Sequence, residues 1–366
     1  MDEMNETGAM VGHEQAESFT CPGCGGTMVF DISSQRIRCE RCDNLADLAE
    51  PAVIQEYALR REGGGMDQVW QEQMSLVRCE SCGSEIVVSQ EALVARCEYC
   101  GSEKVLVARA QAGIPPEAII PFAVDRRGAG AAFRKWVSRR FWAPGSLKKA
   151  FYEDKIEAVY LPYWTFDAQA DAWYSAQGGR VYYVTEGFGE KRRRVRRVNW
   201  YPVRGSISRF FDDVLVSARR VRDRVIARIE SFGTHQLVPF NSAYLSGFKA
   251  EKYNTTPQEG FEEARKEMLS ALREQARKEV LRYYDEVRSV NLQANFSRMT
   301  FKHILVPFWM SSYWYMNKPY RFAVNAQTGR VHGETPVSKT KVALAILIGL
   351  AALILALVYY LNNPTG

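Results

Sequence analysis

The motifs of common catalytic sites are missing from this chain of 366 residues. It has no Gly-x-x-x-x-Gly-Lys-Ser/Thr loop, no His-Glu-x-x-His and no Gly-x-Ser-x-Gly, which excludes the usual nucleotide loop, zinc-protease helix and serine-hydrolase elbow. Only four histidines occur, and none lies near another in the sequence. Gly187-Phe188-Gly189 lacks the third glycine of a dinucleotide site. We therefore predict that the protein is not an enzyme.

Cysteine is absent after residue 100. The eight cysteines form two sets of identical spacing, each with two Cys-x-x-Cys pairs separated by fourteen residues. In a reducing cytoplasm this pattern indicates metal ligands rather than disulfides. The predicted ligands are Cys21, Cys24, Cys39, Cys42, Cys79, Cys82, Cys97 and Cys100.

Each cysteine set predicts a zinc ribbon holding one Zn²⁺, and therefore two zinc ions per chain. Four thiolates at about 2.3 Å suit tetrahedral zinc and leave no open position for a catalytic water. A rubredoxin-like iron site is the alternative, but the fourteen-residue gap is short for it and no redox-partner motif is present. Residues 28–32 and 85–89 are predicted as ribbon strands. Gly25 is predicted to give backbone amides room to approach the sulfurs.

Charge is unevenly distributed along the chain. Residues 1–110 contain nine basic and nineteen acidic side chains, whereas residues 111–366 contain thirty-nine basic and twenty-three acidic ones. Residues 1–18 hold five acidic residues and no Lys or Arg, which predicts a disordered N-terminus. This asymmetry indicates that the basic body meets an anionic partner and that the acidic ribbons do not.

One long apolar run, residues 342–361, contains no charged side chain. A helix of about 20 residues spans the roughly 30 Å hydrocarbon core of a bilayer. A buried core helix is the alternative, although core helices are seldom this long and uniformly apolar. Lys339 and Lys341 precede the run and no cation follows it. The positive-inside rule therefore predicts a single-pass C-terminal anchor in the cell membrane, with the preceding domains cytoplasmic and the C-terminus outside.

The region between the ribbons and the anchor carries an apolar-Pro-aromatic motif four times. The motifs are centred on Pro121, Pro162, Pro239 and Pro307. We interpret them as an internal duplication of order A-B-A-B. Each B copy is predicted to open an aromatic strand and a hairpin, with turns at residues 177–179 and at residues 317–318.

Two helices are predicted in this body. The shorter covers residues 130–141. The longer begins with Thr256 as N-cap and Pro257 at the first helical position. Its apolar stripe, with helical spacing, is Leu269, Leu272, Ala276, Val280, Tyr283 and Val287.

The strongest charge run contains six cations within seven residues. Its members are Lys191, Arg192, Arg193, Arg194, Arg196 and Arg197. We predict that this run contacts anionic lipid headgroups; a solvated hairpin edge guarded by charge is the alternative. Two smaller basic clusters lie at residues 134–149 and 219–228.

These features predict an α+β fold with two small zinc ribbons, a β-rich duplicated body containing a long amphipathic helix, and one C-terminal transmembrane helix. The predicted boundaries are 1–18 for the disordered acidic segment, 19–50 for the first ribbon, 51–75 for the linker, 76–110 for the second ribbon, 111–338 for the body and 339–366 for the anchor.

Several segments together resemble one bacterial family over almost the whole chain. They are the Cys-Pro-x-Cys-Gly ribbon at 21–25, VYLPYWTFD at 159–167, RFFDDV at 209–214 and NAQTG at 325–329. The chain is similar to the zinc-ribbon membrane proteins of the YdjG type, which are often labelled TFIIB-type or primosomal-helicase-like on the ribbon alone. The resemblance implies a membrane platform that works with a PspA-like protein and an SPFH-domain protein in envelope stress. The helicase label does not fit a chain without a nucleotide loop.

We therefore expect a non-enzymatic, membrane-anchored adaptor whose ribbons dock a cytoplasmic protein partner. A membrane-tethered nucleic-acid-binding protein is the alternative, in which the basic body and aromatics such as Trp200 and Tyr201 contact phosphates and bases. Both ribbons are acidic, so nucleic-acid binding would depend on the body.

Overall fold

The computed structural model describes residues 19–48, 53–59, 74–79, 85–89, 105–109, 114–145, 156–189, 192–220, 223–316 and 318–362. Within these residues the fold is mixed α+β and mostly sheet, as predicted, with three α-helices.

The strands are β1 (Met28–Asp31), β2 (Arg36–Cys39), β3 (Leu45–Ala46), β4 (Tyr57–Ala58), β5 (Met74–Cys79), β6 (Glu85–Ser89), β7 (Val105–Arg109), β8 (Ala118–Ile119), β9 (Glu157–Glu186), β10 (Arg193–Ser217), β11 (Val238–Pro239), β12 (Lys249–Glu251), β13 (Glu286–Tyr315), β14 (Lys318–Asn325) and β15 (Val331–Gly333). The helices are α1 (Arg126–Ser138), α2 (Pro257–Leu281) and α3 (Lys339–Asn362).

Two antiparallel strands of 30 residues each, β9 and β13, form the centre of the larger sheet. Their register places Leu161 opposite Val306, so the two B motifs face each other across the pair. The other edge of β9 pairs first with β12, in parallel, and then with β10 along most of its length. The duplication itself stays a prediction.

The predicted turn at residues 177–179 is wrong, because β9 runs straight through it and reverses only after residue 186. The two glycines there serve close packing inside the sheet. A Cβ on Gly178 would lie 2.5 Å from the ring of Tyr284, and one on Gly179 would lie 2.7 Å from a methyl group of Val198. The second predicted hairpin is present between β13 and β14, but Lys318, predicted as a turn residue, already pairs with Tyr315 as the first residue of β14.

Helix α2 begins at the predicted residue because its first turn is fully capped. Thr256 and Glu259 form a capping box, and Pro257 follows the cap. The helix packs across β9, β10 and β13. Alanines on β9 face it, and their small side chains allow a close approach. The contacting β9 residues are Ala168, Ala170, Ala172 and Ala176, and the buried helix residues include Ala264, Met268, Leu272, Ala276 and Val280.

The predicted apolar stripe of α2 is correct in its centre and wrong at its C-terminal end. The helix stops at Leu281, so helical spacing no longer applies beyond that residue. Tyr283 is 76% exposed, and Val287 is buried as part of β13. Leu269 is only half-buried, while the neighbouring Met268 enters the core.

Helix α1 begins and ends earlier than predicted. The Asp125 side chain caps it by accepting the backbone N–H of Gly128 at 2.7 Å, and the helix ends at Ser138. Its buried Phe133 stacks on Phe322 of β14, with ring centroids 3.8 Å apart. This contact joins α1 to the end of the sheet where β14 pairs with the last residues of β13, which we call the base of the sheet.

The C-terminal helix α3 agrees with the predicted membrane span. Its segment Lys339–Tyr359 is long and apolar enough to cross a bilayer, and the apolar window within it is not buried in the structure. Exposed apolar surface on this scale is costly in water, so the helix is compatible with a single-pass membrane anchor.

The first ribbon, β1 to β3, packs directly on the body. The Phe30 ring contacts Tyr244 at a centroid distance of 4.9 Å, and Gln35 Nε2 donates to the carbonyl of Phe122 at 2.8 Å. Phe122 belongs to the same buried cluster as Phe133 of α1. The ribbon and α1 are therefore connected through one core.

The strands of the second ribbon region extend the body's sheet. Their order is β12, β6, β5, β7, with Ala250 of β12 opposite Val87 of β6. The segment between the two ribbons also pairs with the body, because Tyr57 of β4 lies opposite Phe301 of β13. The ribbon strands are thus held by the body.

Candidate metal centre

The first cysteine set is brought together by the short hairpin of the ribbon. Cys21 and Cys24 lie in the turn before β1, Cys39 ends β2, and Cys42 lies in the following turn. The Sγ atoms of Cys21 and Cys42 are 3.5 Å apart, as are those of Cys24 and Cys39. All four Sγ atoms lie within 4.8 Å of one another.

These sulfur distances fit one tetrahedral metal ion. Ligands at about 2.3 Å from zinc lie roughly 3.8 Å apart, whereas a disulfide requires about 2.05 Å. The group could therefore hold a metal ion, as the sequence predicts, and its all-thiolate character favours zinc. Four protein ligands make it a closed, structural type of site.

Each Cys-x-x-Cys turn ends on a residue with positive φ. Gly25 has φ +67° and Asp43 has φ +57°, and their N–H groups donate to the carbonyls of Cys21 and Cys39. The role predicted for Gly25 is wrong, since a Cβ there would meet open space. The crowded position is Gly26, where a Cβ would lie 3.2 Å from the Cys39 sulfur.

Backbone N–H groups point at the sulfurs and favour the thiolate form that binds metal. The N–H groups of Gly23 and Cys24 lower the pKa of Cys21 to about 6. Burial raises the pKa of Cys39, but the N–H groups of Arg41 and Cys42 outweigh it and the net shift is downward. The pKa is thus lowered at the first cysteine of each pair. At the second cysteines, Cys24 and Cys42, the backbone N–H groups of Gly26 and Asn44 lower the pKa, but the neighbouring cysteine thiols outweigh them and the net shift is upward.

The second cysteine set is placed only in part. The backbone of Cys79 ends β5, while Cys82, Cys97 and Cys100 lie outside the described residues. The predicted strand at residues 85–89 is present as β6. A second zinc ion stays a prediction.

The predicted basic run lies at the far end of the hairpin formed by β9 and β10. Arg194 stacks over the Tyr183 ring, 4.2 Å from its centroid. Two of the cations already pair with carboxylates: Arg196 with Glu286, and Arg197 with Glu186. Arg192 and Arg193 are exposed, and Lys191 lies outside the described residues.

Sequence reasoning missed a polar node in which Asp167 and Lys302 are buried, Asp213 and Thr300 are half-buried and Glu56 is exposed. The Lys302 ammonium lies 2.7 Å from Glu56 Oε1 and 2.6 Å from Asp213 Oδ1. Thr300 Oγ1 donates toward Asp167 and Glu56, at 3.3 and 3.1 Å. Although the three carboxylates are close enough to hold a cation, the ammonium of Lys302 already occupies the position between Glu56 and Asp213.

Two β-bulges build this node. Between β9 and β10 the register shifts after Phe211, and between β13 and β9 it shifts before Thr300, both beside Asp167. Asp213 has φ +50° within the first bulge, and its N–H donates to Asp167 Oδ1 at 2.7 Å. Asp167 and Asp213 lie in segments that carry the family resemblance, but no sequence pattern shows that bulges bring them together.

The charged members of the node shift one another's pKa values. Burial, reinforced by the Glu56 carboxylate, raises the pKa of Asp167 to about 6. Burial alone would raise the pKa of Glu56, but hydrogen bonds with Asp167 and Lys302 outweigh it and the net shift is downward. Burial alone would lower the pKa of Lys302, but its contacts with Asp213 and Glu56 outweigh it and the net shift is upward. Glu56 lies in the segment that leaves the first ribbon, so the node fastens this segment to β9, β10 and β13.

The fold and site together define a class: a mixed α+β chain with an apolar C-terminal helix and, on its body, a tetracysteine ribbon that could hold a metal ion. The chain is 30% identical over 334 residues to the "Uncharacterized protein YdjG" of Bacillus subtilis (strain 168), covering 89% of this chain and 92% of that relative. The chain therefore belongs to the YdjG family. No protein-family model matches it, and no solved structure does.

Proposed function

We propose that this protein is a non-enzymatic, membrane-anchored zinc-ribbon adaptor that docks cytoplasmic proteins at the membrane, in envelope stress. The observation that carries the proposal is the continuous packing from the tetracysteine ribbon to the apolar helix. Phe30 contacts Tyr244 and Gln35 reaches Phe122, whose core cluster includes Phe133 of α1. The turn after α1 bonds to the start of α3. A closed metal site is thereby held at a fixed place relative to the anchor.

The exposed surface of the ribbon supports docking of a protein rather than of nucleic acid. Glu40, Asp43 and Asp47 are exposed around the metal site. Leu45 is 39% exposed beside them and offers an apolar contact. Asp47 pairs with Arg36 at 2.7 Å and Arg41 is also exposed, so the ribbon presents mixed charge with a small acidic excess. Such a surface lacks the basic excess that binds nucleic acid, and it suits a protein partner of complementary charge. By resemblance the partner is an SPFH-domain or PspA-like protein.

We expect the ribbons and body to be cytoplasmic and the C-terminus to lie outside. Deleting the residues after Lys341 should move the protein from the carbonate-resistant membrane fraction to the soluble or peripheral fraction, because the whole apolar run is lost. A reporter fused after Gly366 should be active only outside the cytoplasm. Activity of that fusion in the cytoplasm would contradict the predicted orientation.

Partner docking is expected to depend on the ribbon surface. Glu40→Lys combined with Leu45→Ser should reduce recovery of co-purified proteins from native membranes at least tenfold, measured by quantitative mass spectrometry. Glu274→Lys combined with Leu281→Ser is the matched control, because Leu281 has the same 39% exposure on α2. Equal recovery from both variants would assign docking to the body instead.

The alternative, a membrane-tethered nucleic-acid binder, has less support from the geometry. Trp200 is half-buried and packs against Gly179, and the Arg288 guanidinium lies 4.0 Å from its ring centroid. The Arg288 guanidinium thus occupies one face on which a base would stack, whereas Tyr201 is 43% exposed. Binding of DNA by the full-length protein at physiological salt, lost with the Arg192, Arg194 and Arg196 substitutions to Ser, would favour the alternative.

A further inference from the structure

The turn that follows α1 is fastened to the first residues of the anchor helix. The N–H of Ser338 donates to the carbonyl of Trp142 at 2.8 Å. The Lys341 ammonium donates to the carbonyls of Phe141 and Ala143, both at 2.8 Å. Lys341 immediately precedes Val342, the first residue of the apolar run. The turn therefore lies at the level where the membrane span begins.

Two large aromatic side chains project from this turn without being covered by the body. Phe141 is 70% exposed and Trp142 is 44% exposed, and their rings meet edge to face at a centroid distance of 5.1 Å. Neighbouring apolar residues, Ala143 and Pro144, are buried, so the turn itself is well packed. Exposed aromatics on a fixed turn beside a membrane span match the aromatic belt at a bilayer interface.

Exposed cations lie at the end of α1, just before these aromatics in the chain, and at the start of α3. Lys135, Arg139 and Arg140 are exposed at the end of α1, and the Arg140 guanidinium lies 4.8 Å from the ring centroid of Trp136. The Lys341 ammonium lies 5.6 Å from the ring centroid of Phe141. We call these residues the collar: Lys135, Arg139, Arg140, Phe141, Trp142 and Lys341.

We infer that the collar is the lipid-contacting surface of the body, with Phe141 and Trp142 at the headgroup boundary and the cations on anionic headgroups. The inference deepens the proposed function and rests on its membrane anchor. Continuity with α3 and charge complementarity both select an anionic bilayer as the occupant. Rigid bonding to the turn lets the collar fix the tilt of the body on the membrane.

The collar is better placed for this role than the basic run on the hairpin of β9 and β10. The 30 residues of β9 span roughly 100 Å at about 3.3 Å per residue, and the base of the sheet lies on the side of the anchor. The run lies at the opposite end, with Arg196 and Arg197 paired to glutamates. Its contact with headgroups requires the body to lie flat, whereas the collar is bonded to the residues at which the membrane span begins.

The test is photocrosslinking of the full-length protein in nanodiscs that contain phosphatidylglycerol and phosphatidylcholine. Phe141 or Trp142 is replaced by p-benzoylphenylalanine, which keeps an aromatic side chain at the position. Tyr283, 76% exposed on the turn after α2, and Phe188, 95% exposed at the hairpin tip, are the matched control positions. Lipid adducts on the corresponding peptides are measured by mass spectrometry, and carbonate resistance of each variant is measured in membranes.

We expect lipid adducts at positions 141 and 142 to exceed those at position 283 by at least tenfold. Adducts at the level of Tyr283, in protein that remains carbonate-resistant, would overturn the collar while leaving the anchor intact. Adducts at position 188 without adducts at 141 and 142 would overturn it in favour of the hairpin. Protein that carbonate extracts would overturn the anchor and the collar together.

Discussion

The Cys39→Ser variant is expected to bind one zinc ion fewer per chain and to unfold residues 19–48. The ribbon buries only a small cluster around Met28 and Ile37, which includes two of the ligands, Cys21 and Cys39. In a unit of this size, the free energy gained by apolar burial is smaller than the conformational entropy lost on folding. Structural zinc supplies about 10–16 kcal/mol in comparable peptides, so loss of one ligand removes most of the ribbon's stability.

Elemental analysis should give two zinc ions for the parent protein and one for Cys39→Ser. Hydrogen exchange should show loss of protection at Phe30, whose N–H donates to the carbonyl of Ser246 on the body. Cys97→Ser is the reciprocal control, expected to lose the other zinc and to keep the protection at Phe30. Loss of both metals from either single variant would mean that the ribbons fold as one unit, and retention of both would show that the serine does not disturb the site.

Local sequence signals predict the parts of the fold that depend on local chemistry. Cysteine spacing brings Cys21, Cys24, Cys39 and Cys42 together correctly, because a metal site needs four donors at fixed geometry and little else. The Thr256 cap is predicted correctly because it depends only on residues of the first helical turn. The α3 span is predicted because its length and apolar composition match the hydrocarbon core of a bilayer.

Long-range packing accounts for the predictions that fail. Two adjacent glycines at 178–179 are typical of a hairpin turn, but here Tyr284 and Trp200 require the absence of a Cβ. Nothing in the local pattern reveals these rings, which come from distant parts of the chain. The docking of Phe30 on Tyr244 is hidden in the same way, since both read as ordinary apolar residues of separate units.

The polar node could not be predicted either, because its members are dispersed from residue 56 to residue 302 and meet only through two bulges. Isolated acidic residues and a lysine are ordinary surface composition in a sequence. In the folded chain, however, the Lys302 side chain is only 7% exposed and neutralises two carboxylates. Because water is largely excluded from Lys302, its ion pairs affect stability more than the same residues would on the surface.

The Lys302→Met variant is expected to lose about 2–3 kcal/mol of stability, because it leaves the Asp213 carboxylate, 16% exposed, without its cation. Glu56 is 38% exposed, so water screens its unpaired charge and it contributes less. Methionine keeps the apolar stem, so lost packing contributes little. For a domain of 150–250 residues each kcal/mol corresponds to about 2–4 °C, which predicts a drop in Tm on the order of 10 °C in detergent. Lys266→Met is the matched control, since Lys266 pairs with Glu263 on exposed helix surface and should lose less than about 1 kcal/mol.

Charge removal on the acidic side distinguishes an electrostatic cause from a steric one. Adding Asp213→Asn and Glu56→Gln to Lys302→Met removes the uncompensated charges and should restore part of the lost Tm, because amides are cheaper to bury than unpaired carboxylates. The same two substitutions beside the native lysine should destabilise, since they leave the ammonium unpaired. If the triple variant is as unstable as Lys302→Met alone, the loss comes from the shape of the side chain, and the node is not held by charge.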